Sequence, residues 1–503
     1  MSQRHFVAPD FPATRLSIEA IHLADDKQQT LQVRLSFAIV DALLRSRARP
    51  GTRLPSTRAL ADQLGISRMT VTLVYQELAA QGYLQPLARS GFVVADSMPN
   101  RRIPTAAPRS TAPSRDGPDW GDWLDHRPGR RRVIRKPANW RDYRWPFIFG
   151  QADARLFNHN AWRDCARRAL GTRDFGSLAA DQHGQDDPML VDYIISNSLP
   201  RRGIQASPDQ VLVTLGAQNA LYIATQLLTA PDRLAATEDP GYPDFAEALR
   251  GTGCPIHFAR VDEHGLDPDD LPRQTRLVFT TPSHNIPTGA TMPLARRHAL
   301  LGRAERDGFL IIEDDYDFEM SYLAPPAPSL KSLDRSGRVI YLGSFSKSLF
   351  PGLRIGYMVA PAPFIARARE LRAIILRHAP SHLQRITAYF LALGHYDAHV
   401  VRLRQALSRR RAAMEQALAQ TPLRVAGAAQ QGGSSLWVEA PGGPDSRALA
   451  ASLARDGVLI EPGDVFFENP PQICRHFRLG YGSIASEDIP AGIALLARHA
   501  ARQ

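Results

Sequence analysis

The chain has 503 residues, 44% apolar and 22% charged, too long for one ordinary core, so two or more domains are expected. A net charge of +11 favours a polyanionic partner, although basic composition says nothing of fold. Three scattered cysteines (Cys165, Cys254, Cys474) have no metal-ligand spacing and exclude a disulfide framework, no run approaches the ~20 apolar residues of a bilayer span, and the start lacks a signal-peptide pattern, so a soluble, cytoplasmic protein is expected.

From about Leu31 to Val94 the sequence is compact and helix-rich. A first helix, "RLSFAIVDALLRS", is stopped by "ARPG"; Ser56 is placed to cap a second, "TRALADQLG", which Gly65 ends. Ser67 is placed to cap a third, "RMTVTLVYQELAAQG", closed by Gly82. Helix, glycine turn, helix is a DNA-binding signature, with Ser67, Arg68 and Thr70 in the first turn that reaches base edges. Ser56, Arg53 and Arg58 lie beside it, the arginines placed for phosphates, and "LQPLARSGFVVA" makes a wing tipped by Arg89 and Gly91. The string "PGTRLPSTRALADQLGISRMTV…YQELAAQGYL" resembles the winged-helix domain of GntR-type bacterial regulators over about 60 residues. The resemblance implies binding to double-stranded DNA by a domain spanning 28–95.

Residues 96–142 have linker composition, rich in Pro, Arg, Ser and Asp. The run "RRRVIRKP" within them is expected to be a solvated charge cluster, with DNA phosphates as the other possible partner. From 143 to 503, apolar runs ("QVLVTLG", "RLVFTTP", "GFLIIEDD", "RVIYLGS") alternate with amphipathic stretches such as "PLARRHALLGRAERDG". This alternation predicts an α/β domain with a mostly parallel sheet, whose sites lie at the carboxyl ends of the strands; a smaller C-terminal α/β subdomain is expected beside it.

Only 4 of the 61 basic residues are lysines, so this chain writes arginine where it needs charge alone. Lys347, in "GSFSKSLFPGLRIGY", is therefore informative. A primary amine condenses with an aldehyde to a Schiff base, whereas a guanidinium stays protonated and delocalised. Pyridoxal phosphate would need further groups, and the sequence supplies them in order. Asp314, preferred over Asp315 in "EDDYD", would hold the ring nitrogen; Tyr316 would meet the ring hydroxyl; Tyr242 in "EDPGYP" would stack on the ring. Gly216, Ala217 and Gln218 would offer backbone N–H groups to the phosphate at a helix start, completed by Ser344, Ser346 and Arg354.

In this order the motifs resemble fold-type-I aminotransferases across some 350 residues. By that resemblance "TPSHNIPTG", with Asn285, is the cofactor-side loop, and Arg478 in "FRLGYG" is a carboxylate-binding arginine, here for an effector; a structural ion pair is its other reading. Both halves together resemble the MocR/GabR-type regulators. The resemblance implies a head-to-tail homodimer in which the aminotransferase-like domain senses an amine-containing small molecule, or pyridoxal phosphate itself, through Lys347 and alters operator binding. The alternative is an active aminotransferase carrying a DNA-binding domain. Three positions depart from the group: Asn285 replaces the usual Gln, Ala217 the usual Ser, and Asp244 stands where the γ-aminobutyrate-responsive member has an arginine, so that effector is not expected here.

Overall fold

The structure is a computed structural model that describes residues 15–23, 29–45, 48–87, 91–96, 119–120, 134, 136–151, 153–427 and 429–501. The chain divides into two compact units, 1–123 and 124–503.

In the first unit, α1 (Leu31–Arg45), α2 (Thr57–Leu64) and α3 (Arg68–Ala80) precede an antiparallel pair, β1 (Leu84–Leu87) and β2 (Gly91–Val94). Both serines cap as their spacing predicts. Ser56 Oγ accepts from Ala59 N at 3.1 Å and Ser67 Oγ from Met69 N at 3.2 Å, satisfying donors at the helix starts. Gly65 is left-handed at the end of α2 (φ 61°), while α3 caps on Gln81 and Gly82 turns just beyond it. Leu35, Ile39, Leu60, Val71, Val74, Leu78 and Leu84 are buried in one core. Leu16 and Ile21 are buried with them, so this core draws on chain well before residue 28, where the sequence reading began the domain. The apolar pattern around them, Leu16, Ile18, Ile21 and Leu23, is too short to mark an element of the domain.

The second unit is built on an eight-stranded sheet: β3 (Val211–Thr214), β4 (Leu234–Asp239), β5 (Ile256–Asp262), β6 (Gly265–Leu266), β7 (Thr275–Thr280), β8 (Leu310–Asp314), β9 (Val339–Ser344) and β10 (Gly356–Val359). Their spatial order is β3-β10-β9-β8-β7-β4-β5-β6. The five strands from β9 to β5 pair in parallel; β10 runs antiparallel between β9 and β3. The central strands β8 and β9 are buried along almost their whole length, as strands covered on both faces must be. A smaller sheet of β11 (Arg424–Val425), β12 (Ser435–Glu439), β13 (Glu461–Pro462) and β14 (His476–Gly480) forms the C-terminal subdomain. Among the described residues no helix is long and apolar enough to cross a membrane.

Candidate functional site

Chain reversal at the carboxyl edge of the sheet brings the predicted residues together. Asp314 ends β8, Ser344 ends β9 with Lys347 just beyond, β3 runs into the helix Gly216–Leu228, and β4 into the turn carrying Tyr242. Ala217, Gln218, Tyr242, Asp314, Tyr316, Ser344, Ser346, Lys347, Arg354 and Arg478 line one cavity of about 300 Å³. Gly216 and Asn285 are not among the lining residues. A Cβ on Gly216 would lie 3.2 Å from Arg354 Nη2, so the bare glycine lets the guanidinium lie over the helix start. Asn285 is buried, with Oδ1 accepting from Thr288 Oγ1 at 2.7 Å.

Lys347 is accessible from the cavity it lines, its ammonium 4.5 Å from the centre of the Phe149 ring. Desolvation among the cavity walls, followed by the charges of Lys136 and Arg478, brings its pKa down to about 8. Gly150 makes room for it, since a Cβ there would stand 2.8 Å from the Lys347 nitrogen.

The acidic strand end separates into three roles. Glu313 accepts from Leu330 N and Lys331 N at 2.7 and 2.8 Å, fastening a following helix. Asp315 is bound by Arg202 at 2.6 Å and by Tyr341 Oη at 2.9 Å, so it is structural. Asp314 alone lines the cavity, and its Oδ1 is buried without a hydrogen-bond partner. Burial, reinforced by Asp315 and Asp317, pushes its pKa up to about 8.

A buried carboxylate oxygen with nothing to bind marks the place of an absent donor. Ser346 Oγ is likewise buried without a partner, while Ser344 Oγ accepts from Ser346 N at 3.2 Å. Arg354 takes a left-handed backbone (φ 53°) and donates to Leu215 O at 3.1 Å, beside the free N–H groups at the start of a 13-residue helix. The set therefore fits pyridoxal phosphate: an amine, an acid with a vacant acceptor, and an anion cradle with a vacant hydroxyl. Tyr316 Oη donates to His284 O at 3.1 Å, and Tyr242 Oη lies 2.7 Å from Gln218 Oε1 and 3.1 Å from Asp244 Oδ2.

Arg478 makes a structural ion pair, the second of its sequence readings. Its Nε donates to Glu461 Oε2 at 2.7 Å across paired strands, and its guanidinium packs 4.3 Å from the Phe149 ring centre and 4.8 Å from that of Phe466. It nonetheless lines the cavity. Sequence reasoning missed Phe149, Gly150 and Glu461, and it placed Ile134 and Lys136 in a solvated run although both line the cavity. The one available signal was that Lys136 is another of the four lysines.

In the first unit, Ser56 and Arg58 stand at the start of α2 and Ser67, Arg68 and Thr70 at the start of α3; both arginines are exposed. Arg68 Nε donates to Thr57 Oγ1 at 3.4 Å, joining the two helix starts. The Arg53 side chain is exposed while its backbone bridges Arg15 and Val93. Gly91 opens β2 at φ 93°, and Arg89 lies outside the described residues.

The family model for bacterial regulatory proteins of the gntR family matches residues 31–94, and that for aminotransferase class I and II matches 190–489. The HTH-type transcriptional regulator TauR of Rhodobacter capsulatus is 50% identical over 483 residues, covering 96% of this chain and 99% of that protein. The probable rhizopine catabolism regulatory protein MocR of Rhizobium meliloti is 33% identical over 378 residues, 73% of either chain. Among solved structures, an archaeal alanine:glyoxylate aminotransferase superposes with a TM-score of 0.66 at 25% identity, covering 73% of this chain and 96% of its own. Pyrococcus horikoshii kynurenine aminotransferase, solved with PMP, gives 0.66 and 25%, covering 76% and 98%. With a DNA reader of the gntR family ahead of an aminotransferase domain and relatives that are regulators along nearly the whole length, the chain belongs to the MocR/GabR-type transcriptional regulators.

Proposed function

We propose that this regulator carries pyridoxal phosphate on Lys347 and uses it to sense an amine-bearing small molecule. The observation that carries the reading is the pairing, in one cavity, of a lysine amine with a buried carboxylate whose oxygen has no partner. When bound, the cofactor supplies a reactive carbonyl carbon and an electron-withdrawing ring. Lys347 would supply the attaching nitrogen, Asp314 would hold a proton at the ring nitrogen, and Tyr242 and Tyr316 would border the ring. Arg354, Ser344, Ser346 and the N–H groups of Gly216–Gln218 would hold the phosphate.

An amine bound in this cavity would shift the large unit between two states only as far as it binds them unequally. In a homodimer with two DNA readers that shift changes the fit to a two-site operator. The reading supports a sensor in preference to a metabolic enzyme because the site is joined to a DNA reader.

The test is absorbance on adding pyridoxal phosphate to the purified chain. Wild type should gain a band near the blue edge of the visible, and Lys347→Ala should not. Because Lys347 keeps its proton below about pH 8, the band should form faster as pH rises through that value. A wild type that stays colourless, or a Lys347→Ala variant with an unchanged band, overturns the reading.

A further inference from the structure

The side of α3 turned away from the core is apolar at the place where a DNA-reading helix makes its contacts. Val71, Val74, Tyr75 and Leu78 are buried and fix the inward side of the helix. At about 3.6 residues per turn, Met69 and Leu73 fall one turn apart on the opposite side, where they are 65% and 44% exposed. A single exposed leucine carries no information, but two long apolar side chains at i and i+4 make a continuous patch.

The polar side chains around this patch are committed elsewhere. Ser67 Oγ accepts from Met69 N at 3.2 Å, and Thr72 Oγ1 donates to Arg68 O at 2.9 Å. Arg68 Nε donates to Thr57 Oγ1 at 3.4 Å, which draws that side chain toward α2. Thr70, to one side, is half-buried, and Gln76 is the next exposed polar residue along the outward face. Ahead of Gln76 this face therefore offers methyl and methylene groups to a partner.

Charge selects the partner. Between residues 31 and 94 the chain has eight arginines, no lysine and three acids, and Arg58 and Arg68 are exposed at the starts of α2 and α3. Positive charge beside an apolar patch fits double-stranded DNA, whose phosphates border the groove. In the major groove the one methyl group on offer is that at C5 of thymine.

We propose that Met69 and Leu73 read thymine by contact with its C5 methyl group, so that each half-site of the operator carries thymine where they face it. These contacts add sequence information that arginine–phosphate contacts do not carry. The two residues are about 6 Å apart along the helix axis and bases step by about 3.4 Å, so the thymines fall within about two base-pair steps of each other. The assignment rests on the DNA-reading role of the first unit and is independent of pyridoxal phosphate.

The experiment takes the full chain, with pyridoxal phosphate present, and the tightest-binding duplex that it selects from a random library. Each thymine of that duplex is replaced in turn by deoxyuridine, which removes the methyl group and keeps the base pair. Affinity is read by fluorescence anisotropy at one salt concentration. Wild type should lose about fourfold for each methyl group that Met69 or Leu73 covers. The double variant Met69→Ala/Leu73→Ala should bind the thymine duplex more weakly and be indifferent to those same replacements. Both residues are exposed and alanine favours helix, so the fold tolerates the change. Phe37→Ala removes an equally exposed apolar residue from α1 and should keep the wild-type response. A wild type indifferent to every deoxyuridine, a double variant that keeps the full loss, or a Phe37→Ala chain that abolishes it overturns the proposal. So does a double variant that responds as wild type and differs only in self-association, which would assign the face to a second copy of the chain. Failure to select any duplex would remove the DNA-reading role of the first unit, and the proposal with it.

Discussion

Asp314→Asn should weaken pyridoxal phosphate binding by about tenfold to a hundredfold, the range expected when a charge-assisted hydrogen bond worth about 1.5–3 kcal/mol is lost. The carboxyl is buried with Oδ1 unpartnered, so in the cofactor-free protein it gains nothing from its charge. Burial, Asp315 and Asp317 hold its pKa near 8. The sign of the stability effect follows. An acid whose folded pKa lies above its unfolded value of about 3.9 costs stability progressively as pH rises from there to about 8, because only the unfolded chain ionises freely. The Asn side chain has no such penalty. Cofactor-free Asp314→Asn should therefore unfold at an equal or higher denaturant concentration than wild type at pH 8, while its absorbance titration with the cofactor shifts to higher concentration. Loss of both stability and cofactor would assign Asp314 to the fold.

Gly356→Ala should have the second large effect, and through backbone alone. A Cβ at this position in β10 would lie 2.8 Å from Gly343 O, 2.9 Å from Gly216 Cα and 3.0 Å from Gly216 C. None of these atoms can rotate away, so the strands or the helix start must shift. Overpacking of this kind costs about 1–3 kcal/mol. Because Gly216 begins the anion cradle, the displacement should also reach the phosphate. The expected result is a lower denaturation midpoint together with weaker cofactor binding, both measurable on one preparation. Unchanged cofactor affinity at reduced stability would separate the cradle from β10.

The strand ends were legible because burial and chemistry change there within a few residues. "LIIEDD", "RVIYLGS" and "QVLVTLG" are apolar runs that stop on polar or small residues, and β8, β9 and β3 end where those runs do. The winged helix was legible for the same reason, since Ser56, Gly65 and Ser67 punctuate it with capping chemistry. Partners that meet only through tertiary packing were not. Glu461 and Arg478 face each other through the register of β13 and β14, which no local pattern encodes. Phe149 follows a two-residue strand, Trp145–Pro146, and reads as one more apolar residue. Lys136 sits in an arginine-rich run whose composition argues for solvent, and only its long-range contacts with Phe149 and Glu461 reverse that. Leu16 and Ile21 join the DNA reader's core from a segment too short to read as an element.

The exposed residues at the starts of α2 and α3 and the cavity around Lys347 belong to different units of one chain, and the central claim is that the second controls the first. The most direct measurement is operator affinity, read by fluorescence anisotropy with the full cofactor-loaded chain, with and without saturating 3-aminopropanoate or 2-aminoethanesulfonate. Allosteric coupling of this kind is typically about 1–3 kcal/mol, so wild-type affinity should change by about 5- to 150-fold with at least one of them. Lys347→Ala should bind the operator with one affinity whether or not the amine is present. An undiminished response in Lys347→Ala, or wild-type affinity indifferent to amines that alter its absorbance, would contradict control of DNA binding through Lys347.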